Sequence, residues 1–184
     1  MRGASTRLFL LSELADRGEA HGHDLRREAM LGKTELWAEV GVGSIYSTLR
    51  RLADEGLIRV VRTERSGQMP ERTLYAVSDE GRRELAALRE TMLREVVVRA
   101  DPFDLALACS AGMQAGELVD IVDDRVGALE NRISTLEHLR SSAAEHLDER
   151  DHVLFEHSLY RLRADVAWHQ HVRTAISNRQ EESS

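Results

Sequence analysis

The stretch GSIYSTLRRLADEGLIRV, Gly43 to Val60, passes from a helical pattern to a strand pattern with no loop between them. Ile45, Leu49 and Leu52 recur at i, i+4 and i+7, which puts them on one face of a helix from about Ser44 to Glu55. Ser44 is placed to cap that helix, and Gly56 to end it in the left-handed conformation that glycine adopts without steric cost. A helix joined so directly to a strand is held at a fixed angle to a sheet. Its other residues, Ser44, Ser47, Thr48, Arg50 and Arg51, are then left to face outward together.

The flanking sequence limits what that sheet can be. Thr6 to Asp16 places Leu8, Leu11, Leu14 and Ala15 on one helical face, and Gly18 stops the run. A second helix covers His21 to Met30, with Leu25 and Ala29 or Met30 inward and Gly32 closing it. Leu36, Trp37 and Val40 form an apolar link to the third helix. Two runs rich in β-branched residues follow, Leu57 to Glu64 and Glu71 to Val77, separated by RSGQMP. Ser78 can cap a long helix over 79–99, with Leu85, Leu88, Met92 and Val96 in one stripe. Three helices and a hairpin in this order make a winged helix.

Asp101-Pro102 interrupts the chain and divides it into a winged-helix domain, 1–100, and a helical region, 101–184. A short helix over 103–109 precedes a long one over 115–144, in which Val119, Val122, Val126, Leu129, Ile133 and Leu136 alternate at spacings of three and four. A polar break leads to a last helix over 152–177, with Phe155, Leu159, Leu162 and Val166 on one face and Tyr160, Ala164, Ala167 and Trp168 beside it. The expected fold is therefore mainly α, a winged helix-turn-helix domain followed by a long C-terminal α-helical hairpin. Two apolar faces exceed what a thin hairpin can bury, so part of that surface is expected to meet a second subunit.

Charge is divided as unequally as the fold. Residues 1–83 carry 14 basic and 13 acidic side chains, whereas residues 84–184 carry 11 and 19. The first part is near neutral and suits phosphate if its arginines share a face, while the acidic part would point away. No run approaches the roughly 18 apolar residues of a membrane span. The apolar start is broken by Glu13 and Asp16 and lacks a small-residue cleavage site, so no signal peptide is expected. Cys109 is the only cysteine, which rules out an internal disulfide and fits the cytoplasm.

Small hydroxyls near a helix start let a backbone approach base edges and donate to phosphate. Arg50 and Arg51 can reach phosphate oxygens or the acceptors of guanine. On the hairpin, Arg65, Gln68 and Arg72 are placed to clamp the adjacent DNA backbone or minor groove. The same residues also suit a solvated amphipathic helix beside an ordinary hairpin.

Three blocks decide between these readings. HGHDL at His21 to Leu25, GSIYSTLRRLADEGLI at Gly43 to Ile58 and PERTLYAVSDEGRREL at Pro70 to Leu85 resemble the hallmarks of the PadR family of transcriptional regulators, in order and at family spacing. The resemblance implies a homodimeric repressor released by a small molecule or a stress signal, with double-stranded DNA carrying a partly palindromic operator as its partner. It identifies Ser44 to Glu55 as the recognition helix and Tyr46 as the family's near-signature aromatic. Tyr75 falls in the second wing strand. It also implies a dimer interface, to which Leu88, Met92, Val122, Val126, Leu129, Ile133, Leu159, Leu162 and Val166 are assigned. Two positions depart from the pattern. Ser47 stands where the family usually has proline, which is expected to change the bases read, and His23 stands where it has an aromatic.

Other residue types bear on a sensing or catalytic role. His21 with His23, and His169 with His171, are two apart, which turns the rings about 200° apart on a helix. No metal and no cofactor is expected. Phe155, Tyr160 and Trp168 are the aromatics available to line an effector cavity, although packing at a dimer interface is the preferred reading. Cys109, in the apolar run LALACSAGM, reads as a buried small hydrophobe. There is no phosphate loop, nucleophile elbow or recognisable carboxylate pair, so an enzyme is not expected. A protein-interaction module and a ligand-binding protein without a primary DNA role remain the alternatives.

Overall fold

The computed structural model describes residues 3–31, 42–64, 72–98 and 100–182. The chain divides into two compact units, Met1–Val98 and Arg99–Ser184. Leu36, Trp37, Val40 and the Arg65 to Pro70 turn, including Arg65 and Gln68, lie outside the described residues.

In the first unit the elements are α1 (Ala4–Arg17), β1 (Glu19–His21), α2 (Gly22–Leu31), a 3-10 turn (Val42–Ser44), α3 (Ile45–Asp54), β2 (Ile58–Glu64), β3 (Arg72–Val77) and α4 (Asp79–Arg94). The antiparallel sheet runs β1-β3-β2, with Glu19 opposite Ala76 and Ile58 opposite Val77. Strand β1 is an addition to the sequence expectation, in which Glu19 and Ala20 fall between the first two helices and His21 starts the second. Leu10, Leu11, Leu14, Leu25, Ala29, Ile45, Leu49 and Leu52 form the core, and the ambiguity at the end of α2 resolves to Ala29, with Met30 exposed.

Where α3 ends, Gly56 takes φ 73°, its N–H donates to the Ala53 carbonyl, and the Leu57 N–H donates to Leu52. That pair of bonds closes the helix and delivers Leu57 into the core before the chain starts β2. The Leu57 carbonyl then accepts from the Ser78 N–H at 3.0 Å. The Ser78 hydroxyl accepts from the Gly81 N–H at 3.0 Å and donates to the Gly56 carbonyl at 2.7 Å. The end of α3 and the start of α4 are thus latched by one serine. Helix α4 stops at Arg94, short of the expected 99, and Val96 is 87% exposed rather than on the buried stripe. The β-branched run Val96-Val97-Val98 resists helix continuation.

The second unit contains α5 (Pro102–Ala108), α6 (Ala115–Ser142), a 3-10 turn (Ala144–His146) and α7 (Glu149–Glu182). Helices α6 and α7 pack along their length, and Val122, Leu136, Phe155, Leu159 and Val172 are buried between them. Val122 and Leu159, assigned from sequence to a dimer interface, therefore serve the hairpin itself. Asp101 caps α5 by accepting from the Phe103 N–H at 2.9 Å, with Pro102 at the first helical position. Among the described residues no helix is long and apolar enough to cross a membrane.

Candidate nucleic-acid interface

Helix α3 presents a sharply divided surface. Ile45, Leu49 and Leu52 are fully buried, while Tyr46, Ser47, Arg50 and Arg51 are exposed. Thr48 is not on the outward face as expected: at 8% exposure it is buried, because the apolar arc of α3 is wider than the i, i+4, i+7 stripe suggests. Ser44 also differs from expectation. Its backbone is already helical (φ −93°, ψ −6°) and its side chain makes no cap bond, since the 3-10 turn ahead of it continues the helical path. Its hydroxyl lies 3.4 Å from that of the fully buried Thr6 of α1. Ser47 donates its hydroxyl proton to the Ser44 carbonyl at 2.9 Å, leaving the oxygen as an acceptor toward solvent.

The supports of α3 are electrostatic as well as apolar. Arg7 of α1 pairs with Glu55 after α3 and with Glu84 of α4. The Arg7 guanidinium holds the Glu55 carboxyl below its ordinary value, and Glu55 in turn raises Arg7. Arg7 is thus an internal tie rather than a contact for DNA.

Beside the start of α3 lies a hollow of about 190 Å3, lined by His21 of β1, Gly22 and His23 of α2, Tyr46 of α3, and Arg72, Thr73 and Tyr75 of β3. Gly22 leaves room for it: a Cβ there would come within 3.2 Å of the Tyr46 ring and 3.5 Å of the Tyr75 ring. Among the described residues the buried Nδ1 atom of His21 has no hydrogen-bond partner. Sequence reasoning missed His21 here, because its neighbours come from β1 and β3, more than fifty positions apart. Of the three wing residues expected to clamp DNA, only Arg72 lies among the described residues, exposed at the start of β3 and on the rim of this hollow.

In the second unit a polar cluster fastens α5 to the hairpin. Arg125 donates its Nε–H to His169 Nε2 at 2.6 Å, pairs with Asp101, and lies 4.9 Å over the Phe103 ring. His169, only 1% exposed, contacts the Asp165 carbonyl through Nδ1 and packs 4.6 Å from Phe103. Accepting from Arg125 at Nε2 leaves the Nδ1 side of the ring to meet the Asp165 carbonyl. The Phe103 N–H, followed by Arg125, holds the Asp101 carboxyl below its ordinary value. Asp101 therefore stabilises this unit fully above about pH 4, and the contribution is lost as pH falls through its lower folded value. An Asp101→Asn variant, which keeps a capping oxygen, is expected to flatten the acid fall in melting temperature below that pH; an unchanged acid profile would remove Asp101 from the acid response.

The aromatics do not gather into one cavity within the chain. Phe155 is shut into the hairpin at 1% exposure, whereas Tyr160 is 69% exposed and Trp168 stacks on His171 at 5.8 Å on the outside. Cys109 is exposed at the end of α5 instead of buried, because a helix of seven residues shields little of its own C-terminal end. Among the described residues no group of three or more His, Cys, Asp or Glu could hold a metal ion.

The model of the transcriptional regulator PadR-like family matches residues 10–87. The fold is similar to that of Bacillus subtilis PadR in complex with operator DNA, at 21% identity and TM-score 0.73, covering 92% of this chain and 98% of that one. It is equally similar to B. subtilis PadR in complex with p-coumaric acid, at 20% identity and TM-score 0.73, over 94% and 99% of the two chains. The Vibrio cholerae virulence activator AphA is similar at 15% identity and TM-score 0.66, over 94% and 98%. No curated protein matches the chain. The matched family and folds are those of transcriptional regulators, not enzymes. With α3, both wing strands and the second half of α1 inside the matched span, residues 10–87 fold as a winged helix and match the model of the transcriptional regulator PadR-like family.

Proposed function

We propose that the chain works in the cytoplasm as a homodimeric, sequence-specific DNA-binding regulator, a repressor released by a small molecule. Two copies of α3 would read successive major grooves of a partly palindromic operator. The observation that carries this reading is the outward face of α3, where Tyr46, Ser47, Arg50 and Arg51 stand exposed on a helix whose opposite side is fully buried. The operator complex of B. subtilis PadR supports a DNA partner, and its p-coumaric acid complex supports a small-molecule effector. The half-buried Leu88, Met92, Val126, Leu129, Ile133, Leu162 and Val166, with the exposed Leu93, Val97 and Val98, supply apolar surface for a second copy.

Fluorescence anisotropy on duplexes from upstream of the protein's own coding region, with a scrambled control, tests the reading. Binding should be tighter to the upstream duplex and weaken linearly in log salt. Arg50→Ala and Arg51→Ala should each either cost about 1–3 kcal/mol, if the arginine reads a base, or lower the salt slope by about 1, if it holds a phosphate. Equal affinity for both duplexes at every salt concentration would sink the proposal of a sequence-specific regulator.

A further inference from the structure

Sequence reasoning places three small hydroxyls on the outward face of α3, and the fold leaves Ser47 there. Thr48 is buried, and the Ser44 hydroxyl lies 3.4 Å from that of Thr6 in α1. Ser47 is exposed, on a stripe shared with Tyr46, Arg50, Arg51 and Asp54 over successive turns. An unengaged serine hydroxyl has one proton to give and two lone pairs to accept with, so it suits any base edge. Ser47 does not have that choice. Its proton lies in the bond to the Ser44 carbonyl at 2.9 Å, where the carbonyl oxygen can only accept. What Ser47 offers outward is therefore an acceptor. Donating to a base would exchange the Ser44 bond for another of the same kind, with little net gain. Accepting from a base adds a bond and breaks none in the helix.

Donors are few in the major groove: the N6 amino group of adenine and the N4 amino group of cytosine. Guanine O6 and N7, thymine O4 and the phosphate oxygens all accept. We propose that Ser47 accepts from one of those amino groups and so selects adenine or cytosine at one position of each half-site. This rests on the DNA-binding reading above. It also gives Ser47 a role opposite to the phosphate donation that sequence expects of a small hydroxyl. Arg50 and Arg51 carry only donors, so the acceptors of guanine fall to them. Asp54, the other acceptor on the stripe, lies about 10 Å further along the axis. Recognition helices meet base edges through their N-terminal residues, which favours Ser47 over Asp54.

Ser47→Ala removes the hydroxyl and leaves a better helix former, so the variant should melt at the wild-type temperature or above. It is measured as full chain beside the wild type, by fluorescence anisotropy on the upstream-region duplex. In a series of such duplexes, single adenines are replaced by purine and single cytosines by 2-pyrimidinone, which lack only the amino group. On the unmodified duplex Ser47→Ala should bind about 25-fold more weakly, a factor of about five for each half-site. At one position per half-site, loss of the amino group should weaken the wild type about fivefold more than it weakens the variant. Elsewhere the two proteins should lose equally, because the analogue then acts only through the duplex. Equal losses at every position would overturn the selection and leave the DNA-binding reading intact, as would wild-type affinity in the variant. A melting temperature that falls in step with affinity would make Ser47 a structural residue and also overturn it. If the wild type does not prefer the upstream duplex to its scrambled control, the DNA-binding reading fails and the selection fails with it.

Discussion

Gly81→Ala is expected to lower the melting temperature of the winged unit by about 10–20 °C. In an ordinary helix this exchange is favourable by about 0.5–1 kcal/mol, because alanine loses less backbone freedom on folding. Here the added Cβ would sit 2.0 Å from the Leu57 carbonyl oxygen and 2.9 Å from the Val77 side chain. That oxygen cannot retreat, since it accepts from the Ser78 N–H, and the Ser78 hydroxyl holds Gly81 and Gly56 at once. Overpacking against backbone costs about 3 kcal/mol, so the clash outweighs the propensity gain and the net effect is a loss of about 2–2.5 kcal/mol. Thermal unfolding followed by circular dichroism checks it. A variant as stable as the parent would mean that α4 can slide on β2, and the latch would not be a fixed point of the fold.

The second large effect belongs to the helical unit. Phe155→Ala should destabilise the hairpin by about 3–5 kcal/mol, the range for deleting a fully buried aromatic. Tyr160→Ala, one and a half turns further along α7, should change stability by less than about 0.5 kcal/mol, because its ring is already in water. Sedimentation at several concentrations then gives the pair a further use. If Tyr160 lies on a face shared by two copies, its variant shifts the monomer–dimer balance without shifting the melting of the hairpin. Equal destabilisation by both substitutions would contradict the division between an enclosed seam and an open outer side.

Much of this architecture was legible because its signals are local. Gly56 and Ser78 are cap residues whose chemistry acts within four positions, and both do what their neighbours indicated. The seam from Phe155 to Val166 follows from helical periodicity alone. Illegible features depend on distant partners or on competition between neighbours. Strand β1 is three residues long and exists only because Tyr75 and its neighbours arrive beside it. Thr48 reads as polar and outward until the core around α3 is assembled. His169 reads as half of a paired-histidine pattern, yet it occupies an apolar seam position, made tolerable by the Asp165 carbonyl and by Arg125, 44 residues away. His21 is the same problem in reverse. Nothing in the order of the sequence shows that its Nδ1 will be buried with no partner among the described residues.

The strand order β1-β3-β2 also sets a timetable for manufacture. The middle strand is the last of the three in sequence, and Glu19 waits for Ala76, 57 positions downstream. At about 5–20 residues per second on the ribosome, that wait is several seconds. During it α1, α2 and α3 have all been made, but β1 has no partner and the Leu57 carbonyl no donor. The arginines of α3 then ride on a helix that nothing fixes to a sheet. A nascent chain shorter than Gly81 therefore lacks the bonds through Ser78 that tie the end of α3 to the start of α4.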